Sequence, residues 1–255
     1  MSEAAKWLDL TGKVAHVTGG ARGIGAAIGR ALRMAGATVI LSDVDAEAVA
    51  KTANEIGAQG VPLDVSDSAA VDAALARTAS EFGGLDVLVN NAGLYREYGG
   101  PAVDLDDATW RKLWEVNVDG VFYACRAAAR IMIEQRRGGR IINVSSTQAR
   151  TPGVGVTYDG SKAAVEQITK TLALELAPHG INVNALAPGP TWVGPGEPPK
   201  TSGRVPEPTG EPLADTVADR VARLPLGHWG DPMEQGKAAV FLASEMSAFV
   251  TGIYL

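Results

Sequence analysis

Residues 13–25 read KVAHVTGGARGIG, and this stretch decides the fold. A short apolar, partly β-branched run ends at Thr18. Gly19, Gly23 and Gly25 follow, and from 23 to 35 apolar residues recur at three- and four-residue spacing. Strand, glycine turn and helix in that order form a cradle for phosphate. Gly19 permits the tight turn, and Gly23 lets the backbone approach a pyrophosphate. Gly25 lets the helix pack close on the strand, and the first amides of the helix, around Arg22 and Ile24, face the anion. The spacing is TGxxxGxG rather than GxGxxG, so the weight rests on the turn's place between a strand and a helix.

The alternation continues to the end of the chain. Strand-like runs at 37–43, 60–64, 85–90, 139–145 and 181–187 are separated by helix-like stretches near 45–57, 68–82, 106–135, 157–178 and 232–244. Asp45, Ser66 and Asp104 are placed to cap helices. Alternating strands and helices predict right-handed crossovers: a doubly wound α/β fold, a single domain over 1–255 with a parallel sheet covered on both faces. Residues 190–225 break the rhythm with eight of the chain's fourteen prolines. Leaving the carboxyl edge of the sheet, this insertion is expected to be a substrate lid.

Asp43 ends the second strand, where a carboxylate accepts hydrogen bonds from an adenosine ribose and repels a 2′-phosphate. Arg22 pulls the other way, since a guanidinium pairs with that phosphate. The carboxylate outweighs it, and NAD is the expected cofactor.

Composition narrows the class. Of 255 residues 46% are hydrophobic and 20% charged, and the net charge of −6 argues against nucleic acid or anionic lipid as partner. The single cysteine, Cys125, excludes an internal disulfide and fits a reducing compartment. His16, His179 and His228 are too scattered for a zinc site, so no metal is expected. The N-terminus lacks the apolar core of a signal peptide, and no apolar run is long enough to span a bilayer. A cytoplasmic protein without membrane attachment is the expectation.

Tyr158 and Lys162 lie four residues apart near the start of the stretch 157–178, and so share one helix face. Free tyrosine is a poor base at neutral pH, but a neighbouring ammonium and the positive ring of an oxidised nicotinamide favour the phenolate. Taken together, TGGARGIG (18–25), NNAG (90–93), NVDG (117–120), INVSS (142–146), YDGSK (158–162) and APG (187–189) resemble the short-chain dehydrogenase/reductase family over essentially the whole chain. The resemblance implies Tyr158 as acid/base and Lys162 as the group that binds the nicotinamide ribose and lowers the tyrosine pKa. A serine orients the substrate oxygen, and Asn117 shapes a helix kink holding a relay water. It implies adenine contacts from Asp64 and Val65, a channel lined by Asn90, Asn91, Ala92 and Gly93, and nicotinamide contacts from Pro188, Gly189 and Thr191.

Aligning the strand selects Ser146 as the serine, 12 residues before Tyr158; the family's more usual spacing of 13 would select Ser145. Val193 stands where the family usually has a threonine. The family also commonly continues SAFVTGIYL (247–255) with a VDGG-like tail, whereas this sequence ends at Leu255.

Gln148 and Arg150 after the serine, and Tyr95, Arg96 and Glu97 after NNAG, suggest a small-molecule substrate that is polyhydroxylated or anionic: a sugar, polyol or hydroxy acid. Trp192 and Trp229 instead suit a hydrophobic ring ketone or steroid. An inactive NAD-binding regulator has no need of the full Asn117, Ser146, Tyr158 and Lys162 set. An enoyl reductase of related fold would place its lysine farther from its tyrosine. Apolar residues on more than one face of helices 117–135 and 157–178 predict a homo-tetramer or homo-dimer.

Overall fold

Strand β1 (Val14–Thr18) is buried along its whole length, as a strand covered on both faces must be. It belongs to a computed structural model that describes residues 6–95, 101–194 and 224–255. Helix α1 (Gly23–Met34) leads to β2 (Thr38–Asp43), parallel to β1 with Val14 opposite Thr38 and Thr18 opposite Ser42. Next come α2 (Ala46–Ile56), β3 (Gln59–Pro62), α3 (Ser68–Phe82) and β4 (Val87–Asn90). Then follow α4 (Asp107–Trp114), a π-helical turn Glu115–Asp119 and α5 (Gly120–Gln135). The chain continues through β5 (Gly139–Val144), α6 (Val156–Leu176), β6 (Ile181–Leu186) and α7 (Pro232–Ala243).

The six strands lie in the order β3-β2-β1-β4-β5-β6 and pair in parallel. Beyond β6, Tyr254 forms a parallel bridge with Ala185. Side chains alternate between two cores, because strand residues point to opposite faces. Leu88, Ile141 and Val183 pack with Val71 and Leu75 of α3, Ala124 and Ala128 of α5 and Val165 of α6. Val17, Val39, Val89 and Ile142 pack with Ile28 and Leu32 of α1, Val49 of α2 and Leu242 of α7. Truncating a fully buried leucine such as Leu32 to alanine is expected to cost about 2–5 kcal/mol.

The helix starts correct two expectations. Asp45 does cap α2, accepting from the Ala48 amide at 3.0 Å. Ser66 does not cap α3, because its hydroxyl is spent on Asp64 Oδ1 at 2.6 Å; Asp67 takes the amides of Ala69 and Ala70 instead. Asp104 closes a short 3-10 turn, and Asp106 caps α4. The expected helix 106–135 is two helices divided by the π turn. Most of the proposed lid, 195–223, lies outside the described residues, as do Arg96 and Glu97. Among the described residues no helix is long and apolar enough to cross a membrane, and no group of three or more His, Cys, Asp or Glu could hold a metal ion.

The chain runs outward from β1 to β3, then returns to β4 on the other side of β1. Open α/β sheets take ligands at such a reversal, outside the carboxyl ends of the strands. Here those ends are stitched together: Thr18 Oγ1 accepts from the amides of Asn91 and Ala92, both at 3.1 Å.

Candidate active site

At the mouth of this crevice the glycine turn is packed to the limit of contact. A Cβ on Gly25 would stand 2.1 Å from the Gly19 carbonyl oxygen and 2.4 Å from Asn91 Nδ2. Gly19, at φ +65°, leaves equally little room beside Ala92, whose Cα is 2.7 Å from the Cβ position. Arg22 occupies the N-cap of α1 with extended backbone and makes no side-chain cap, which leaves that end of the helix open to an anion. Ile24 is half-buried against the core beneath.

Asp43 is pinned beside the turn, Oδ2 accepting from Ala21 N and Oδ1 from Asp45 N, each at 3.1 Å. It ties the end of β2 to the glycines and keeps its carboxylate at the crevice. Farther along the rim, Asp64 is exposed, and hydrogen bonds from Ser66 hold its carboxyl below the usual range. Val65 is buried against Gly120. Asn91 spends its side chain on Thr18 O and Gly19 O. Asn90, expected along the channel, turns its side chain away from it. Its strand position turns it into the core, where Nδ2 donates to Asn143 Oδ1 at 2.9 Å and meets Cys125 Sγ.

On the other side of the crevice Tyr158, Lys162, Ser146 and Asn117 are all buried. Lys162 Nζ donates to Val144 O at 2.8 Å and stands 5.7 Å from the centre of the Tyr158 ring. A Cβ on Gly93 would lie 3.3 Å from Asn117 Oδ1 and 3.6 Å from Lys162 Nζ, so these three residues share one small space. The π turn presents Asn117 inward. Its amide accepts from Leu94 N at 2.7 Å and donates to Leu94 O at 3.1 Å, fixing the NNAG loop. It also donates to Ser161 Oγ, which in turn donates to Tyr158 O at 2.8 Å.

The two serines diverge. Ser145 Oγ is buried and donates to Lys162 O at 3.0 Å. Ser146 draws the Tyr158 pKa down, and its Oγ accepts from Gln148 N at 3.2 Å. The residues after β6 then bridge the serine to the glycine turn. Pro188 O accepts from Thr147 N, Thr191 Oγ1 donates to Gly189 O, and Val193 packs 3.3 Å from the Cβ position of Gly23. Trp192 and Trp229 meet edge to face at 5.9 Å.

The expected lowering of the tyrosine pKa is not a property of the chain alone. Burial pushes the Tyr158 phenol up to about 12, against the downward pull of Ser146, and Tyr95, Asp159 and Tyr254 add to the rise. Burial also brings the Lys162 ammonium down to about 8. The same low-dielectric pocket disfavours both charged forms, so a phenolate needs a positive charge brought in with the bound cofactor. The rim holds another surprise. Arg150 does not face the crevice as a free cation: Glu166 grips it through Nε at 3.1 Å and Nη2 at 2.7 Å. Glu166 sits at the next four-residue step after Lys162, so the helix period could have revealed it; nothing in the sequence flagged Tyr254.

A glycine cradle, an uncapped helix end, a pinned carboxylate and a buried lysine near a tyrosine fit a dinucleotide. A family model described as Enoyl-(Acyl carrier protein) reductase matches residues 19–255. Galactitol 2-dehydrogenase (L-tagatose-forming) of Cereibacter sphaeroides is 41% identical over 252 residues, covering 96% of this chain and 93% of that protein. The chain belongs to the short-chain dehydrogenase/reductase family. Sorbitol dehydrogenase of Cereibacter sphaeroides, 36% identical, covers 95% of this short-chain dehydrogenase/reductase and 94% of its own length. A crystal structure of a short-chain type dehydrogenase/reductase from Mycobacterium marinum matches it with a TM-score of 0.85 and 34% identity, over 98% of this chain and 95% of that one. As a short-chain dehydrogenase/reductase, the protein is an oxidoreductase of the CH–OH/C=O couple that uses a nicotinamide cofactor.

Proposed function

We propose that the chain is an NAD-dependent polyol dehydrogenase that interconverts a secondary alcohol and a ketone, with Ser146, Tyr158, Lys162 and Asn117 as its site. The observation that carries this reading is the gathering of Asn117 and Lys162 around Gly93, 3.3 and 3.6 Å from its Cβ position, with the Lys162 ammonium 5.7 Å from the Tyr158 ring, in a crevice that also holds the fixed Asp43 carboxylate. Gly19, Arg22, Gly23, Ile24, Gly25 and Asp43 would hold the pyrophosphate and adenosine ribose. Asp64 and Val65 would meet the adenine, and Asn91, Ala92, Gly93, Pro188, Gly189 and Thr191 would line the nicotinamide end. A nicotinamide held there would supply the hydride acceptor for the carbinol carbon, or the hydride donor in the reverse direction.

In oxidation the substrate hydroxyl sits between Ser146 Oγ and the Tyr158 oxygen. Tyr158 as phenolate takes the hydroxyl proton, while the C–H electron pair leaves as hydride and the C–O bond becomes a carbonyl. Ser146 holds the oxygen in line, and Lys162 supplies the positive field beside the phenol. Asn117 keeps the Leu94 backbone and Ser161 in place around them. In reduction Tyr158 returns the proton.

A polyol is favoured because Gln148 Oε1, two residues from Ser146, is buried and has no hydrogen-bond donor among the described residues. The resemblance to galactitol and sorbitol dehydrogenases points the same way. A hydrophobic ring ketone or steroid is the second reading, on the strength of the Trp192–Trp229 pair. We further propose one catalytic domain, assembled as a homo-tetramer or homo-dimer through α5 and α6, where Phe122 and Leu174 are exposed, and working in the cytoplasm. The test is an NADH-forming screen of galactitol, sorbitol, hydroxysteroids and ring alcohols with NAD and NADP. Polyol oxidation with NAD is expected. Turnover of the hydrophobic panel alone would overturn the polyol assignment, and a KM for NADP at or below that for NAD would overturn the cofactor.

A further inference from the structure

The helix stripe that carries Tyr158 and Lys162 continues at the same interval through Glu166 and Lys170. Glu166 is buried, grips the Arg150 guanidinium at two points and accepts from Lys170 Nζ at 2.6 Å. The Arg150 guanidinium carbon lies 4.0 Å above the Tyr254 ring. The Tyr254 hydroxyl donates to the backbone carbonyl of Ser146. Tyr254 is itself fastened beside β6, where Leu255 N donates to Ala185 O at 3.0 Å and Ala187 N to Leu255 O at 2.7 Å. A chain of contacts therefore runs from the catalytic helix, through an ion pair and a stacked ring, to the peptide of the serine.

We propose that Tyr254, braced by Arg150 and Glu166, is a positioning residue that fixes the Ser146 peptide so that its hydroxyl stays aligned with Tyr158. The proposal rests on the reading of Ser146 and Tyr158 given above. Ser146 is the N-cap of a short 3-10 turn, Thr147–Ala149, and its carbonyl also accepts from Ala149 N at 3.0 Å. Without the Tyr254 donor, that bond and the one from Thr147 N to Pro188 O at 3.2 Å are left to set the peptide plane, and a tilt of the plane shifts the turn whose Gln148 amide holds Ser146 Oγ. Guanidinium stacked on a phenol ring is a contact arginine makes well, and the Glu166 fork holds it flat. The charged and titratable groups facing Tyr254 are Arg150, Glu166 and Tyr158; those facing Tyr158 are Lys162, Tyr95, Asp159 and Tyr254.

The test compares Tyr254→Phe, Arg150→Met and Ser146→Ala in the full-length enzyme, by steady-state kinetics across pH. Tyr254→Phe keeps the ring and its stack but loses the donor. It is expected to lower kcat about 10- to 100-fold with the KM for NAD unchanged, on the scale of misplacing a catalytic group by about an ångström. The apparent pKa of the rising limb of the kcat–pH profile is expected to move upward, because loosening the Ser146 interaction that favours the phenolate outweighs the smaller, opposite effect of removing the Tyr254 hydroxyl; Arg150→Met, which keeps that hydroxyl, gives the direction without the opposing effect. Arg150→Met is expected to shift both quantities the same way and by less, and it serves if Tyr254→Phe does not fold. Normal kcat and normal pH profile in Tyr254→Phe, beside a Ser146→Ala enzyme that has lost turnover, would overturn the positioning role and leave the site standing. A fall in kcat with an unmoved pH profile would also overturn it. Full turnover in Ser146→Ala would overturn the site reading itself.

Discussion

Ser145 and Ser146 are adjacent, yet their hydroxyls take different partners: Ser145 donates to the Lys162 carbonyl at 3.0 Å, while Ser146 Oγ accepts from Gln148 N at 3.2 Å and Ser146 draws the Tyr158 pKa down. Ser146→Ala is therefore expected to lose about 10²–10³-fold in kcat, the scale of removing a donor at the reacting oxygen. Ser145→Ala is expected to cost stability, about 1 kcal/mol for the lost hydrogen bond, with kcat within about tenfold of normal. Kinetics and denaturant melts of the two variants separate the roles; the opposite pattern would move the catalytic role to Ser145.

Asp43 supplies a charge and two acceptors at once. Asp43→Asn keeps an acceptor for one amide and removes the charge that repels a 2′-phosphate. The ratio of kcat/KM for NADP over NAD is expected to rise at least about tenfold, equivalent to about 1.4 kcal/mol of relieved repulsion. An unchanged ratio would mean that the carboxylate only ties β2 to the glycine turn.

Gly25→Ala places a methyl carbon 2.1 Å from the Gly19 carbonyl oxygen, a backbone atom that cannot step aside. The turn must open, and a destabilisation of about 1–3 kcal/mol is expected with loss of NAD binding. Thermal melts and cofactor titration check it. Wild-type melting and wild-type NAD affinity would contradict the packing argument.

The sheet was legible because its strands are continuous apolar runs and its helices carry a regular period. Helix caps were less so. Ser66 and Asp67 are both good caps by type, and only the bond from Ser66 to Asp64 decides between them. NNAG was legible as a motif, but not the opposite fates of its two asparagines: one in the core, the other on the glycine turn. Arg150 reads in the sequence as a substrate-facing cation; its partner, Glu166, lies a helix turn beyond Lys162 and comes within reach only when α6 folds over the serine loop. Tyr254 is more than a hundred residues from Ser146 in sequence, and no local pattern encodes a contact that the closing edge of the sheet makes.

His16 is buried in β1, its ring nitrogens 2.9 Å from Thr78 Oγ1 and 3.0 Å from Ser42 Oγ. Burial lowers its pKa from 6.5 to about 4. The unfolded chain therefore binds a proton that the folded one refuses, and the histidine's contribution, complete above pH 6.5, is lost as pH falls toward 4. The loss expected from this group is about 3 kcal/mol. Urea unfolding of wild type and His16→Gln between pH 7 and pH 4 measures it: the variant's stability should fall less steeply. Parallel curves would exclude His16 as the cause.

The central claim is that the Tyr158 oxygen carries the substrate proton. Tyr158→Phe removes that oxygen while keeping the ring and its edge-to-face contact with Tyr95, 4.9 Å between centres. Polyol oxidation by this variant, measured as NADH formation alongside an NAD-binding titration, is expected to fall at least about 10²-fold with cofactor affinity retained. Turnover at the wild-type rate with NAD bound normally would contradict the account.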